Sequence, residues 1–79
     1  MKAKVYVTLK KGVLDPQGKA VGSALKSLGY NEVKNLRIGK FMEIEFDGSS
    51  GQNAEKRLKE MCEKLLANTI IEEYKVEIE

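Results

Sequence analysis

The 79-residue sequence contains no histidine and no tryptophan, and its only cysteine is Cys62. A lone thiol cannot form an intramolecular disulfide, and a structural zinc site needs about four Cys or His ligands. Without histidine, the usual general base that would activate a cysteine nucleophile is also missing. We therefore expect Cys62 to be a buried packing residue in a reducing compartment, and we expect no metal, no bound cofactor and no catalytic residue in this chain.

Long apolar runs are also missing. No stretch approaches the roughly 20 apolar residues that cross a membrane, and the N-terminal residues 1–4 have no apolar signal-peptide region. The sequence therefore predicts a soluble cytoplasmic protein without a membrane partner. A single domain over residues 1–79 buries only about 60% of its unfolded surface. Since disulfides and metals are excluded, we expect a homo-oligomer to supply the remaining stability.

The only proline marks the start of a helix. Asp15 followed by Pro16 is typical of an N-cap residue and the first helical position. Apolar residues then recur at the spacing of one helix face, and Gly29 occupies the position of a left-handed C-cap. The residues of this face are Val21, Ala24, Leu25 and Leu28.

Alternating and periodic patterns predict the other elements. Strands are expected over residues 4–10, 33–38, 41–47 and 73–79, with a tight turn at Gly39-Lys40 and a flexible loop over 48–51. A second helix is expected over 53–67, with an apolar stripe formed by Ala54, Leu58, Met61, Cys62 and Leu65. The order β-α-β-β-α-β predicts an α+β two-layer sandwich, a ferredoxin-like variant whose antiparallel sheet has both helices on one face.

The charges are unevenly distributed. Residues 1–40 have a net charge of +7 and residues 41–79 a net charge of −5. In the expected fold, Lys4 and Lys10 would meet Glu43 and Glu45 on the uncovered sheet face. Mutual neutralisation is therefore favoured over a phosphate-binding face.

Two binding motifs fail on inspection. Residues 12–20 superficially resemble a phosphate-binding P-loop, but the glycine spacing is wrong, Ala20 replaces the required hydroxyl residue, and Pro16 removes a backbone donor. An RNA-recognition surface would need alternate aromatics on the open face. Phe41 and Tyr6 lie there, but Glu43 and Glu45 would repel phosphates. An RNA-binding module and a ferredoxin-like module that senses a small ligand stay as alternative functions.

Three stretches resemble the PurS family, the small subunit of phosphoribosylformylglycinamidine (FGAM) synthase. These are residues 5–21, residues 30–33 together with 36–40, and residues 61–74. The resemblance implies a non-catalytic homodimer, paired into tetramers in some members. It also implies a complex with a glutaminase subunit, PurQ, and an ATP-dependent synthetase subunit, PurL. This complex acts in de novo purine biosynthesis and uses ATP, Mg and glutamine, and PurS is thought to bridge the two large subunits and to aid ammonia transfer.

The loop before the first helix carries the strongest likeness to this family, and its adjacent apolar residues Val13 and Leu14 are unusual for a loop. Either they cover the core as a lid or they dock a partner, with a slight preference for the lid. The candidate partner-contact residues are Val13, Leu14, Asp15, Pro16, Gln17, Arg37 and Lys40.

Overall fold

Three antiparallel strands form the sheet of the computed structural model, which describes residues 1–47 and 51–79 without the side chains of residues 51 and 52. They are β1 (Lys2–Leu9), β2 (Lys40–Glu45) and β3 (Glu72–Ile78), in the order β2-β1-β3. Alternation places Val5 and Val7 on one face, where both are fully buried. Val5 lies opposite Met42 on β2 and Val76 on β3, so the centre of the core lies on β1.

One helix covers this face. Helix α2 (Gly51–Met61) continues into a π-helical turn (Cys62–Leu66) and buries Ala54, Leu58 and Cys62 against the sheet. The N–H of Ala67 donates to the carbonyl of Cys62 at 2.9 Å, the five-residue spacing that defines such a turn. The predicted loop at 48–50 lies outside the described residues, while Gly51 is already helical.

The π-helical turn changes which leucine faces the core. A π turn contains one residue more than α-helical spacing, so the side chains after Cys62 are rotated away from the predicted stripe. Leu65 is consequently 84% exposed, whereas Leu66 packs against the core. The prediction that Leu65 belongs to the buried stripe is wrong for this reason.

Helix α1 (Pro16–Ser27) does not lie against the sheet. Asp15 caps it as predicted, and Gly29 has a φ of 101° directly after the C-cap residue Leu28. Its apolar face is nevertheless open in the single chain, because Val21 is 42% and Leu28 74% exposed. The α+β class with an antiparallel sheet and two helices is confirmed, but in this chain α2 alone packs on the sheet.

Residues 33–38 do not form the predicted second strand. They run beside α1, where Leu36 lies close to Gly22 and the backbone carbonyl of Leu36 approaches Gly18. The predicted turn at Gly39-Lys40 is also absent, since Lys40 is the first residue of β2. Gly39 packs so tightly against Val7 that an added Cβ would lie 2.5 Å from the Val7 carbonyl oxygen. The chain therefore enters β2 without reversing, and no hairpin pairs 33–38 with β2.

We call residues 10–38 the arm and the rest of the described chain the body. The arm makes the molecule elongated, with extents of 50 × 24 × 14 Å and a radius of gyration of 16.0 Å. A compact domain of this length would have a radius of gyration of about 12 Å. The arm thus projects from the end of the sheet at which β1 finishes.

The uncovered face of the sheet is charged. Lys4 lies opposite Glu43 as predicted, but its ammonium group binds Glu79 at 3.0 Å, and Glu45 is bound by Lys2 at 3.6 Å. Lys10 follows the end of β1 and cannot reach Glu43 or Glu45, which corrects that part of the prediction.

Tyr6 and Phe41 form an aromatic pair on the same face, with ring centroids 5.2 Å apart. The Tyr6 hydroxyl donates to Glu77 at 3.4 Å, and Glu43 follows Phe41 at the alternate position. Carboxylates beside both rings would repel a phosphate backbone, which weakens the RNA-binding alternative.

The thiol of Cys62 is buried in the core. Burial, and to a smaller extent the Glu63 carboxylate, raise the pKa of Cys62, so its reactive thiolate is scarce at neutral pH. We expect a thiol reagent such as DTNB to modify Cys62 only as the protein unfolds. Cys62→Ser should destabilise the protein more than Cys62→Ala, by about 1–3 kcal/mol if the new hydroxyl has no partner. Fast DTNB labelling of the folded protein would contradict this placement.

Candidate partner-binding site

Five of the seven candidate residues lie in the loop between β1 and α1, which holds Val13, Leu14 and Asp15, and at the start of α1, which holds Pro16 and Gln17. A short turn holds the start of the loop. The N–H of Val13 donates to the carbonyl of Lys10 at 3.1 Å, and Lys10 is itself bonded to Ile71 at 2.9 Å. Gly12 has a φ of 87°, and an added Cβ would meet no atom within 4 Å. Glycine is therefore required at this position for its backbone conformation rather than for space.

The carboxylate of Asp15 joins the two sides of the arm. One oxygen accepts the N–H of Gly18 at 2.8 Å, which caps α1, and the other accepts the N–H of Ile38, also at 2.8 Å. Asp15 is only 9% exposed. The Ile38 and Gly18 N–H groups, with a smaller contribution from the charge of Arg37, lower the pKa of Asp15 below its ordinary value.

Arg37 fixes the arm to the body. Its Nη2 donates to the carbonyl of Leu9, the last residue of β1, at 3.2 Å and to that of the following residue, Lys10, at 3.1 Å. Its Nε lies 4.0 Å from the Asp15 carboxylate. The guanidinium therefore serves mainly to position the loop, although it remains partly exposed.

Lys40 lies at the same end of the sheet as this loop. It begins β2, and its ammonium group is 3.7 Å from the Glu72 carboxylate at the start of β3. The lysine side chain is 66% exposed, so it adds an accessible positive charge beside the loop.

Leu14 does not cover the core in this chain, so the lid interpretation is wrong. Leu14 is 72% exposed, and Pro16 and Gln17 are exposed as well, whereas Val13 is half-buried. Leu14 and Val13 instead line one side of an open cleft of about 350 Å³ between α1 and residues 33–37. The structure thus divides the candidates into an outer surface formed by Leu14, Pro16, Gln17 and Lys40, an inner support formed by Asp15 and Arg37, and the half-buried Val13 between them.

Sequence reasoning missed Gly18 and Ile38. A Cβ on Gly18 would lie 2.5 Å from the Leu36 carbonyl oxygen and 2.6 Å from an Asp15 carboxylate oxygen, so glycine is required for this close approach. Gly18 lies three residues after the N-cap Asp15, where a backbone N–H usually donates to the cap side chain, so its position could have pointed to this contact. The role of Ile38 is a backbone donor 23 positions from Asp15, which no local pattern reveals.

The two bonds of Asp15 can be separated by a single substitution. Asp15→Asn keeps an oxygen for Gly18 but turns an amide NH₂, which only donates, towards the N–H of Ile38. We expect the melting temperature to fall by roughly 4–8 °C at pH 7. Differential scanning calorimetry over a range of pH would measure this change.

The pH dependence follows from the lowered pKa of Asp15. A carboxylate whose pKa is lower in the folded state stabilises fully above its ordinary pKa of 3.8, and this contribution is lost as the pH falls through the folded value. The difference in melting temperature between wild type and Asp15→Asn should therefore be constant at neutral pH and shrink below about pH 4. The exposed Asp47→Asn is the control and should follow wild type. If the difference in melting temperature did not depend on pH, the charge of the Asp15 carboxylate would not contribute to stability.

Residues 1–47 and 51–79 contain no cluster of three His, Cys, Asp or Glu side chains that could hold a metal ion. None of the described helices is both long enough and apolar enough to span a bilayer.

Comparison with known proteins identifies the family. The model of the family described as PurS, phosphoribosylformylglycinamidine (FGAM) synthase, matches residues 2–79. The chain is 58% identical over 78 residues to the FGAM synthase subunit PurS of Bacillus subtilis (strain 168), covering 99% of this chain and 92% of the relative. It is 41% identical to the PurS subunit of Methanocaldococcus jannaschii, covering 99% and 94%.

Solved structures agree with this assignment. The B. subtilis PurS structure matches with a TM-score of 0.89, covering 99% of this chain and 96% of that chain. A structure of PurLQS from Thermotoga maritima matches at 33% identity with a TM-score of 0.87, covering 96% and 93%. The conserved fold, the match over nearly the whole length and the identity to several subunits lead to one conclusion: the chain belongs to the PurS family of FGAM synthase subunits.

Proposed function

We propose that this chain works as a homodimer that bridges the glutaminase PurQ and the ATP-dependent synthetase PurL and helps ammonia pass between them. PurS is a subunit of FGAM synthase in purine biosynthesis, a member of the complex rather than the catalyst itself. In this proposal the chain binds no cofactor, and ATP, Mg and glutamine are used by the large subunits. It acts in the cytoplasm and needs no nucleic acid.

The observation that carries the proposal is the exposed apolar side chain of Leu14, close to the exposed Pro16, on a backbone held by hydrogen bonds. An exposed leucine beside an exposed proline loses little conformational entropy on docking when the loop is already fixed. Here Asp15 and Arg37 fix it with four hydrogen bonds to backbone groups. A partner therefore gains the apolar contact of Leu14 without having to order the loop.

A bridging subunit suits the chemistry of ammonia. The complex would convert formylglycinamide ribonucleotide, glutamine and ATP to FGAM, glutamate, ADP and phosphate, with ammonia released by the glutaminase and used by the synthetase. Neutral ammonia is the nucleophile, because ammonium has no free lone pair. A subunit that holds the ammonia-releasing site of the glutaminase next to the ammonia-using site of the synthetase and excludes water prevents both the protonation and the dilution of ammonia. Such a subunit needs shape and contact surfaces rather than reactive groups.

The test is a substitution at Leu14 in the reconstituted complex. Leu14→Asp should leave the melting temperature nearly unchanged, because the side chain is already 72% exposed. We expect it to reduce glutamine-dependent FGAM synthesis at least tenfold, since a buried carboxylate without a partner opposes docking. Synthesis driven by a high external concentration of ammonia should fall much less, because it bypasses the glutaminase.

Leu14→Met is the matched control, because it keeps the apolar contact at the same position and should retain activity. Cys62→Ser should stay within a few-fold of wild type in the same assay. A folded Leu14→Asp protein with full glutamine-dependent activity would show that this loop does not dock either large subunit.

A further inference from the structure

The cleft between α1 and the segment that returns to β2 has positively charged side chains on both of its walls. We call it the arm cleft, and its volume is about 350 Å³. Among the described residues that line it, Asp15 is the only carboxylate. Four cations and one carboxylate give the cleft a charge of +3, although the whole chain carries only +2. The cations are Lys19 and Lys26 on the α1 wall and Lys34 and Arg37 on the opposite wall.

The lysines of the arm cleft have no acidic partner in the part of the chain that the structure describes. No carboxylate of these described residues lies within 4.0 Å of Lys19, Lys26 or Lys34. All three lysines are exposed, and Glu32, the second acid of the arm, does not line the cleft. The positive charge of the cleft is therefore not neutralised within one chain.

The single carboxylate of the cleft is already used by the backbone. Both oxygens of Asp15 accept backbone N–H groups at 2.8 Å, and Asp15 is only 9% exposed. Gly18 and Gly22 leave the α1 wall low between the lysines, and Ser23 and Asn35 add neutral polar groups. An anion that enters the cleft therefore meets ammonium groups and neutral donors, while the carboxylate of Asp15 is turned towards its own backbone partners.

The length of the arm cleft and its apolar end favour a peptide over a small anion. The cleft follows α1 from Gly18 to Lys26, which is about 12 Å along the helix axis. An extended peptide covers this length with about four residues. The half-buried Val13 and the exposed Leu14 line the cleft as well. A free phosphate ion would fill only part of the cleft and would leave these apolar side chains uncovered.

We propose that the arm cleft binds an extended acidic segment of one of the large subunits of FGAM synthase. Carboxylates of this segment lie between the lysines of the two walls, and an apolar residue of the segment contacts Leu14. The proposal rests on the proposed function, and it specifies the chemistry of the partner surface that docks on the arm.

Charge attraction of this kind acts mainly on the rate of assembly. A single exposed ion pair contributes little to affinity, because water and salt screen it. A cluster of charges of one sign, however, draws an oppositely charged partner towards it and raises the association rate. High salt removes this attraction. A loss of charge attraction can therefore be told from a structural defect, which would slow association at every salt concentration.

The first experiment reverses one lysine on each wall of the cleft. Lys19→Glu combined with Lys34→Glu should lower the association rate of PurS with immobilised PurL or PurQ about tenfold or more in about 0.05 M salt. In about 0.5 M salt the loss should be less than about threefold. Lys19 is the fourth residue of α1, where an acidic side chain suits the helix dipole, so the substitution should not disturb the helix.

Lys56→Glu combined with Lys75→Glu is the matched control. It changes the net charge by the same amount at exposed positions outside the arm, and it should stay within about threefold of the wild-type rate. Equal losses in the two variants would overturn the proposal, because net charge alone would explain them. A wild-type rate for Lys19→Glu with Lys34→Glu would overturn it as well. So would binding of an oligouridylate RNA that requires these two lysines while the association with PurL and PurQ does not.

The second experiment uses the wild-type complex, so it does not depend on the folding of a variant. A carbodiimide joins a lysine amine to a carboxylate only where the two groups are in contact. Treatment of the assembled PurS, PurL and PurQ complex, followed by mass spectrometry, should join Lys19, Lys26 or Lys34 to an Asp or Glu of one large subunit. If none of these lysines is joined to either large subunit, the proposal is wrong.

The outcome can be told apart from a failure of the proposed function. If Leu14→Asp blocks glutamine-dependent synthesis while the lysines of the arm cleft neither affect association nor form cross-links, Leu14 docks a partner and this inference fails alone. If neither Leu14→Asp nor Lys19→Glu with Lys34→Glu has an effect, the docking role of the arm fails together with it.

Discussion

The two hydrogen bonds accepted by Asp15 hold the arm in one shape. The carboxylate binds the N–H of Gly18 at the helix entry and the N–H of Ile38, which lies 23 positions after Asp15 in the returning segment. The bonds also satisfy two backbone donors, which would otherwise be costly where water is largely excluded. The exposed position of Leu14 and the placement of residues 33–38 beside α1 both depend on this carboxylate.

The stability of the body has a different origin. Val5, Val7, Leu58 and Cys62 are buried almost completely, and they lie on β1, on α2 and in the π-helical turn that follows α2. This small core contains few large side chains, which is typical of a short chain. The arm contributes little to it, because its largest apolar side chains are exposed. The molecule therefore combines a body stabilised by apolar burial with an arm stabilised by polar bonds.

Local signals in the sequence predicted the local structure well. The cap at Asp15, the C-terminal glycine of α1 and the alternation of β1 and β3 all depend on neighbouring residues, and each was confirmed. The PurS family was also identified correctly from three short stretches. The lid interpretation of Leu14 failed because it assumed that the loop folds back onto the core, which depends on the direction of the arm.

Contacts between segments that are distant in the sequence were harder to predict. Residues 33–38 have the composition of a strand, but their neighbour within the chain is α1, held there by Asp15 and by the close approach of Leu36 to Gly18. The position of Leu65 depended on the π-helical turn, which has no signature in apolar spacing. The exposure of Leu14 cannot be read from periodicity, because it depends on how the arm leaves the body.

The π-helical turn at Cys62–Leu66 decides which leucine completes the core at the end of the helix. The turn holds one residue more than α-helical spacing, and each residue of an α-helix advances the side chains by about 100° around the axis. Leu66 therefore reaches the core and Leu65 lies in solvent. With α-helical spacing through the same residues, Leu65 would face the core instead. The choice between two neighbouring leucines is thus made by the backbone geometry of this turn, because their side chains are chemically identical.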